Sequence, residues 1–386
     1  MALASAFMLQ KSFSRTIVLV GLASLCLPGS LGAQEVHQDL HEVIKAEVLE
    51  VVSEEEKEIT GTDTTTATQE VRAILSEGER EGEVVNLTTE VVQLEEGDKI
   101  FVNRMVTIDG TETFTYADFE RRPVLAFLMI TFVVMLLFFS RWQGLRALLS
   151  LGGSIGAILF ILVPALLAGY NATLTTIGIS AVILSFAFFG THGINPRSII
   201  AFGGTFGTVV ITSLVAYPSV YIMRMTGFSD DASVYLNFAT NGQLDLVGLL
   251  LGGIIIGILG ALDDVSITQV SVVEELKSAN KELTFRDLYT RASVVGRNHI
   301  GSMVNTLALA YAAVSLPLIL LYAKTESSWL DVLNQEVVAA ELLRIIVGSM
   351  GLILAVPATT AVAAWYYQNR EVHSHDGGHG HHHHHH

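Results

Sequence analysis

The sequence predicts a polytopic α-helical membrane protein carrying a small all-β domain outside the membrane. Three observations carry this. Apolar runs of about 18 or more residues recur between Pro123 and Tyr367, each long enough to span a bilayer. Acidity is confined to one stretch: residues 34–122 hold 23 acidic and 8 basic side chains, −15 of the formal net charge of −16. Within that stretch, apolar and polar residues alternate at period two between breaks marked by glycine.

Residues 1–33 read as a secretory leader. Lys11 and Arg15 make a positive n-region, Thr16–Leu27 a short apolar core, and Pro28-Gly29 then Gly32-Ala33 a break and a small-residue end. The alternative is an uncleaved first span. Either way, residues from Gln34 onward lie outside the cytoplasm. Cys26 is the single cysteine and falls in the leader, so the mature chain has no disulfide, thiol metal site or thiol catalysis. Leu25 stands where a lipidation motif needs a small residue.

Residues 34–120 are expected to form an extracytoplasmic small β-barrel of OB or SH3 type. The strands expected are Lys45–Val52, Ala67–Leu75, Glu83–Leu94, Lys99–Thr107 and the short Thr113–Tyr116. Gly78, Gly82, Gly97 and Gly110 punctuate them. This barrel would gate the membrane domain, contact the envelope or dock an envelope protein.

Residues 121–370 are expected to hold seven spans, near 123–140, 145–168, 172–190, 198–222, 244–262, 302–323 and 338–367. Arg141, Arg146, Arg197, Lys277, Lys281, Arg286, Arg291, Arg297 and Arg370 all fall on one side of these spans, which the positive-inside rule makes cytoplasmic. Arg121 and Arg122 are the exception. The N-domain is therefore expected outside and the C-terminus inside. Gly152-Gly153-Gly156, Gly203-Gly204-Gly207 and Gly252-Gly253-Gly257 offer small-residue faces for close helix packing, which would also suit a homodimer. Pro164, Pro218, Pro317 and Pro357 mark places for kinks. Residues 371–386 are a tail ending in the tag His381–His386, with Gly377–Gly380 as linker, and carry no argument.

The chemistry is expected where polar side chains interrupt the apolar half. Asp263, Asp264, Ser266, Thr268 and Gln269 place five oxygen-bearing side chains within seven residues. Intramembrane carboxylates are costly and are functional candidates by default. Oxygen donors of this kind bind hard cations, so Asp263 and Asp264 are the candidates for a metal or proton site at an expected helix break. The plainer alternative is an Asp capping a helix at the interface. Arg297, Asn298 and His299 are expected to open the sixth span, with Asn305 and Thr306 deeper and His299 able to titrate near neutrality. Their plainer reading is interfacial anchoring. Glu341 and Arg344, one turn apart, suit a structural ion pair; turned to the polar centre, Glu341 would be a third carboxylate. His192 sits in a short loop as a turn residue.

No Walker A sequence, His-Glu-x-x-His or G-x-S-x-G is present, so neither ATP-driven nor hydrolytic chemistry has support. Nothing is basic enough to bind nucleic acid. No cofactor is expected beyond a bound cation.

Three long motifs resemble the YibE/F-like membrane protein family of bacteria and archaea. They are Leu262-Asp263-Asp264-Val265 with Thr268-Gln269 and Glu274-Glu275-Leu276; Val295-Gly296-Arg297-Asn298-His299-Ile300 with Val304-Asn305-Thr306; and Glu341 through Arg344 with Gly348–Leu352 and Val356–Thr359. The family usually carries Asp after the Gly-Arg pair, where this chain has Asn298, so no carboxylate role carries over there. The resemblance implies a cell-membrane transporter or permease without naming its cargo. The expected function is thus a secondary transporter, coupled to protons or cations and not an enzyme, meeting membrane lipid and a small ion or solute. The alternatives are an envelope scaffold or sensor whose barrel binds a partner, and a membrane enzyme acting through the Asp pair on a lipid-borne substrate.

Overall fold

The computed structural model describes residues 40–58, 65–90, 92–106, 111–325 and 328–370. The leader with Cys26, Gly110 and the tagged tail lie outside them. The chain divides into two compact units, with the boundary between Met129 and Ile130.

The first unit holds a closed barrel of five strands: β1 (Leu40–Glu58), β2 (Thr65–Leu75), β3 (Val84–Thr89), β4 (Lys99–Val106) and β5 (Glu112–Phe119). The order around the barrel is β1-β2-β3-β5-β4, and β1 pairs with both β2 and β4. All pairs are antiparallel except β3 with β5, which meet in parallel at Thr88 and Thr115. Period-two alternation does what it should: Ile44, Ala46 and Val48 of β1 and Val71, Ala73 and Leu75 of β2 point inward and are buried. β3 ends five residues short of the strand expected to Leu94. Leu94 instead plugs the core from a loop, its N–H donating to the Gln69 side-chain oxygen at 2.8 Å. Gly97 has φ of 88°, a left-handed turn that glycine adopts without strain.

Lys45, Arg72, Arg80 and Arg104 of the barrel are ion-paired. Arg80 bonds Glu83 and Glu112, and Arg104 bonds Glu42 and Glu112. These two guanidiniums, Arg104 first, hold the Glu112 carboxyl below the usual carboxylate range. Just after β5, the Glu120 side chain is 2% exposed and accepts from Arg122 Nε at 2.6 Å, Arg122 Nη2 at 2.5 Å and Lys45 Nζ at 3.1 Å. Arg122 also lies 4.5 Å over the Phe101 ring. The Arg122 hydrogen bonds push the Glu120 pKa down to about 2.

The second unit is helical: α1 (Arg122–Ala157), α2 (Val163–Leu167), α3 (Ala172–Ser185), α4 (Pro196–Ile222), α5 (Asp231–Ala239), α6 (Leu246–Ala279), α7 (Phe285–Val314), α8 (Leu316–Ala323), α9 (Trp329–Asn334) and α10 (Glu336–Tyr367). α1 starts just before the boundary between the units. Among the described residues, five helical stretches are long and apolar enough to cross a membrane, and α7 with α8, bent by 64°, makes a sixth. The stretch Arg122–Leu167 has 46 residues. Straight, it would run about 69 Å, more than twice a hydrocarbon core. Its backbone leaves the helix at Arg141, where φ is 49° and ψ −129°.

Two expectations about helix ends are corrected. α6 is one unbroken helix of 34 residues, so Asp263 and Asp264 stand inside it and not at a break. Nothing between residues 246 and 279 can stop a helix: no proline is present, and Gly260 alone costs about 1 kcal/mol relative to alanine. Asp245 caps this helix instead, accepting from Gly248 N–H at 2.9 Å. α7 likewise begins well before the expected sixth span, with Thr284 and Asp287 forming a capping box. Arg297, Asn298 and His299 therefore lie mid-helix. Pro317 sits in the first turn of α8, where the bend is.

α6 is the central helix, with α3, α4, α7 and α10 around it. Its end is pinned by Lys277, 4% exposed, whose ammonium donates to the main-chain oxygens of Lys281 at 2.7 Å, Leu283 at 3.1 Å and Gln368 at 2.8 Å.

Candidate functional site

The expected polar residues occupy three levels along α6. At the first, Gly257 leaves room for Tyr311 of α7, whose hydroxyl would stand 2.1 Å from a Cβ at that position. Arg344 of α10 lies 5.8 Å from the Tyr311 ring and bonds Glu341 at 2.6 Å. Glu341 Oε2 is buried without a hydrogen-bond partner.

Asp263 and Asp264 form the second level, about 9 Å further along the axis at 1.5 Å per residue. Leu262 and Val265 on either side are fully buried and point into the core. The two carboxylates therefore fall to its edges. Asp263 is half-buried, with Oδ1 sealed from solvent and without a partner, and Asp264 is exposed.

At the third level, Ser266 and Gln269 are fully buried against α10. Ser266 Oγ lies 3.3 Å from Thr359 Oγ1, and Thr360 Oγ1 donates to Gln269 Oε1 at 3.0 Å. Close approach makes these bonds: a Cβ at Gly204 of α4 would stand 2.8 Å from Thr359 Oγ1, and one at Gly296 of α7 would stand 2.4 Å from Val356 Cγ1 and 2.9 Å from Gln269 Nε2. Gln269 Nε2 is buried without a partner. Thr205, Thr208 and Thr212 of α4 turn their hydroxyls back onto carbonyls four residues earlier, which satisfies them locally.

α7 distributes its polar residues differently. Arg297, Asn298, Asn305 and Thr306 are exposed, and Thr306 donates to the Ser302 carbonyl at 2.9 Å. His299 is half-buried, with Nε2 sealed and unpartnered. Asp263 Oδ1, His299 Nε2 and Glu341 Oε2 are thus three separate buried polar atoms, and no bond through them gathers these groups into one constellation. Among the described residues, no three His, Cys, Asp or Glu side chains could together hold a metal ion. A cation at the aspartates would have to take its remaining oxygens from hydroxyl, amide or main-chain groups or from water.

Thr268 lines an open cleft of about 710 Å³ at the Ala279 end of α6, with Ser271, Glu275, Gln143, His192 and Arg197. Arg197 bonds Glu274 at 2.6 Å. His192, expected in a turn, is half-buried on the cleft wall, and burial, then Arg197 and Arg146, push its imidazole pKa down. Sequence reasoning missed Ser271 and Thr360, and it named Glu275 and Thr359 only as parts of the motifs. Two adjacent threonines in an apolar span were the available signal for Thr359 and Thr360.

Neither the curated proteins nor the solved structures give a match to this chain. A family match covers residues 128–369, more than half the chain, and takes in all three levels of α6 and the cleft. The chain belongs to the YibE/F-like protein family.

Proposed function

We propose that this membrane protein is a secondary transporter driven by a cation or proton gradient, with no catalytic step. Asp263 carries the reading. A carboxylate with a sealed, unpartnered oxygen inside a long apolar helix is expensive, and a cation or a proton offsets that cost. Asp264 supplies the second carboxylate and Thr268 a hydroxyl one turn on. His299, Asn305 and Glu341 stand apart from this pair and act, in this reading, on helix movement. The reading takes seven spans, counting Arg122–Leu167 as two divided at Arg141 and the bent α7–α8 pair as one. The basic residues favour a cytoplasmic C-terminus and an external barrel in a bacterial or archaeal membrane, reached by way of a leader. The strand order and the parallel β3–β5 contact favour an OB-type barrel. The glycine faces leave a homodimer open.

The test is a vesicle assay on the reconstituted full chain. A gradient of one cation among sodium, potassium, magnesium and calcium should change the internal pH, and Asp263→Asn should abolish the change while keeping its melting temperature. A silent panel, or full flux in the variant, overturns the assignment.

A second reading rests on β1, which exposes Val43 at 61% and Val52 at 55%. An apolar strip on an otherwise acidic barrel suits an envelope partner, and the protein would then be a scaffold or sensor. Cation-driven flux that survives removal of residues 34–120 counts against that reading.

A further inference from the structure

The open side of α6 differs from that of a lipid-facing helix. α1 exposes Phe127, Leu128, Phe138 and Phe139. α6 exposes only Gly253, Gly257, Gly260, Asp264, Glu275 and Ala279. Every exposed position on a 34-residue apolar helix is thus small or acidic. Thr268 and Ser271, half-buried, fall on the same face between Asp264 and Glu275. At 100° per residue the whole set lies within an arc of about 100°.

The cleft opens onto this face, because Thr268, Ser271, Glu275 and Ala279 line it. Its lining arginine, Arg197, is bonded to Glu274, and Arg146 bears on the cleft from the His192 side. The charges along the face are therefore the carboxylates Glu275 and Asp264, about 17 Å apart along the axis. Above Asp264, a Cβ at Gly260 would meet nothing within 4 Å, and the Tyr311 hydroxyl then closes the groove at Gly257.

We propose that this face is a water-filled, cation-selective track, in which the cleft is the mouth and Glu275, Ser271 and Thr268 lead hydrated cations to Asp264. Lipid is a poor cover, because a carboxylate facing hydrocarbon is strongly disfavoured. A second copy packed symmetrically here would bring two Asp264 carboxylates together away from water. The track deepens the transporter reading and rests on it for its purpose.

Cysteine labelling tests it on the full chain in vesicles, in a Cys26→Ser background. Thr268→Cys and Ser271→Cys are treated with two membrane-impermeant methanethiosulfonates, one carrying trimethylammonium and one sulfonate. Both positions should react, the cationic reagent about 10-fold or more faster after correction for its rate with a free thiol. Asp264→Asn should erase most of that preference, and Asp264→Glu should keep it. No reaction at either position while Ala279→Cys reacts at the mouth overturns the track. So does cross-linking of two copies through Gly260→Cys. Labelling requires no transport: a reactive, cation-selective Thr268→Cys, with no flux in the Cys26→Ser parent, removes only the transporter reading. Flux in that parent with both cysteines unreactive removes only the track.

Discussion

Glu120 receives two bonds from Arg122 and one from Lys45 while its side chain is almost fully covered. Its folded pKa of about 2 lies below the ordinary 4.5, so the charged form is favoured by folding. Its contribution to stability is complete above pH 4.5 and is lost as pH falls towards 2. Short pepsin pulses across that window should cut β5 increasingly as pH falls, and Glu120→Gln should raise cleavage at pH 4.5 while flattening the dependence. An unchanged profile would mean that the pairing does not hold the strand. At this scale the sequence names polar residues but not their partners. Ser266 and Gln269 stand out among apolar neighbours, yet Thr359 and Thr360, which bond them, lie 93 and 91 residues away. Nothing local encodes such a contact. The Glu341–Arg344 pair could be anticipated because one helical turn brings i and i+3 together.

For whole elements, legibility followed periodicity. Alternation located the barrel strands, but it ran β3 too far, where Leu94 keeps the inward rhythm from a loop, and caught only the middle of β1, which extends from Leu40 to Glu58. Helix ends inside the membrane half were harder, because Asp263-Asp264 resembles a cap and only the absence of a breaker shows the helix continuing. Glycine pairs show a different limit. In Gly152-Gly153, Gly203-Gly204 and Gly252-Gly253, one member of each pair meets a neighbouring side chain and the other meets nothing within 4 Å. Spacing alone does not say which. Gly204→Ala should cost about 1–3 kcal/mol by overpacking against Thr359. Gly203→Ala should be neutral or gain up to about 1 kcal/mol from helix propensity. Melting temperatures of the two variants in detergent should move apart, and equal shifts would place the close approach elsewhere.

For the molecule as a whole, hydropathy revealed the membrane half, and localised acidity revealed the separate domain. The cleft was invisible because its wall draws on Gln143, His192, Arg197 and α6 from distant parts of the chain. The break at Arg141 makes a topological prediction. If Arg122–Leu167 crosses twice, an impermeant thiol reagent should label Gly169→Cys in intact cells and Gln143→Cys only after permeabilisation. Identical labelling of the two would leave a single crossing. Lys277 has a last consequence at this scale. Its three acceptors are main-chain oxygens, which every residue type supplies. The fastening of α6 to the following loop and to the end of α10 therefore demands one particular side chain and uses none at positions 281, 283 and 368, although Leu283 is held by its own burial in the core. A joint built this way places nearly all its information in a single codon.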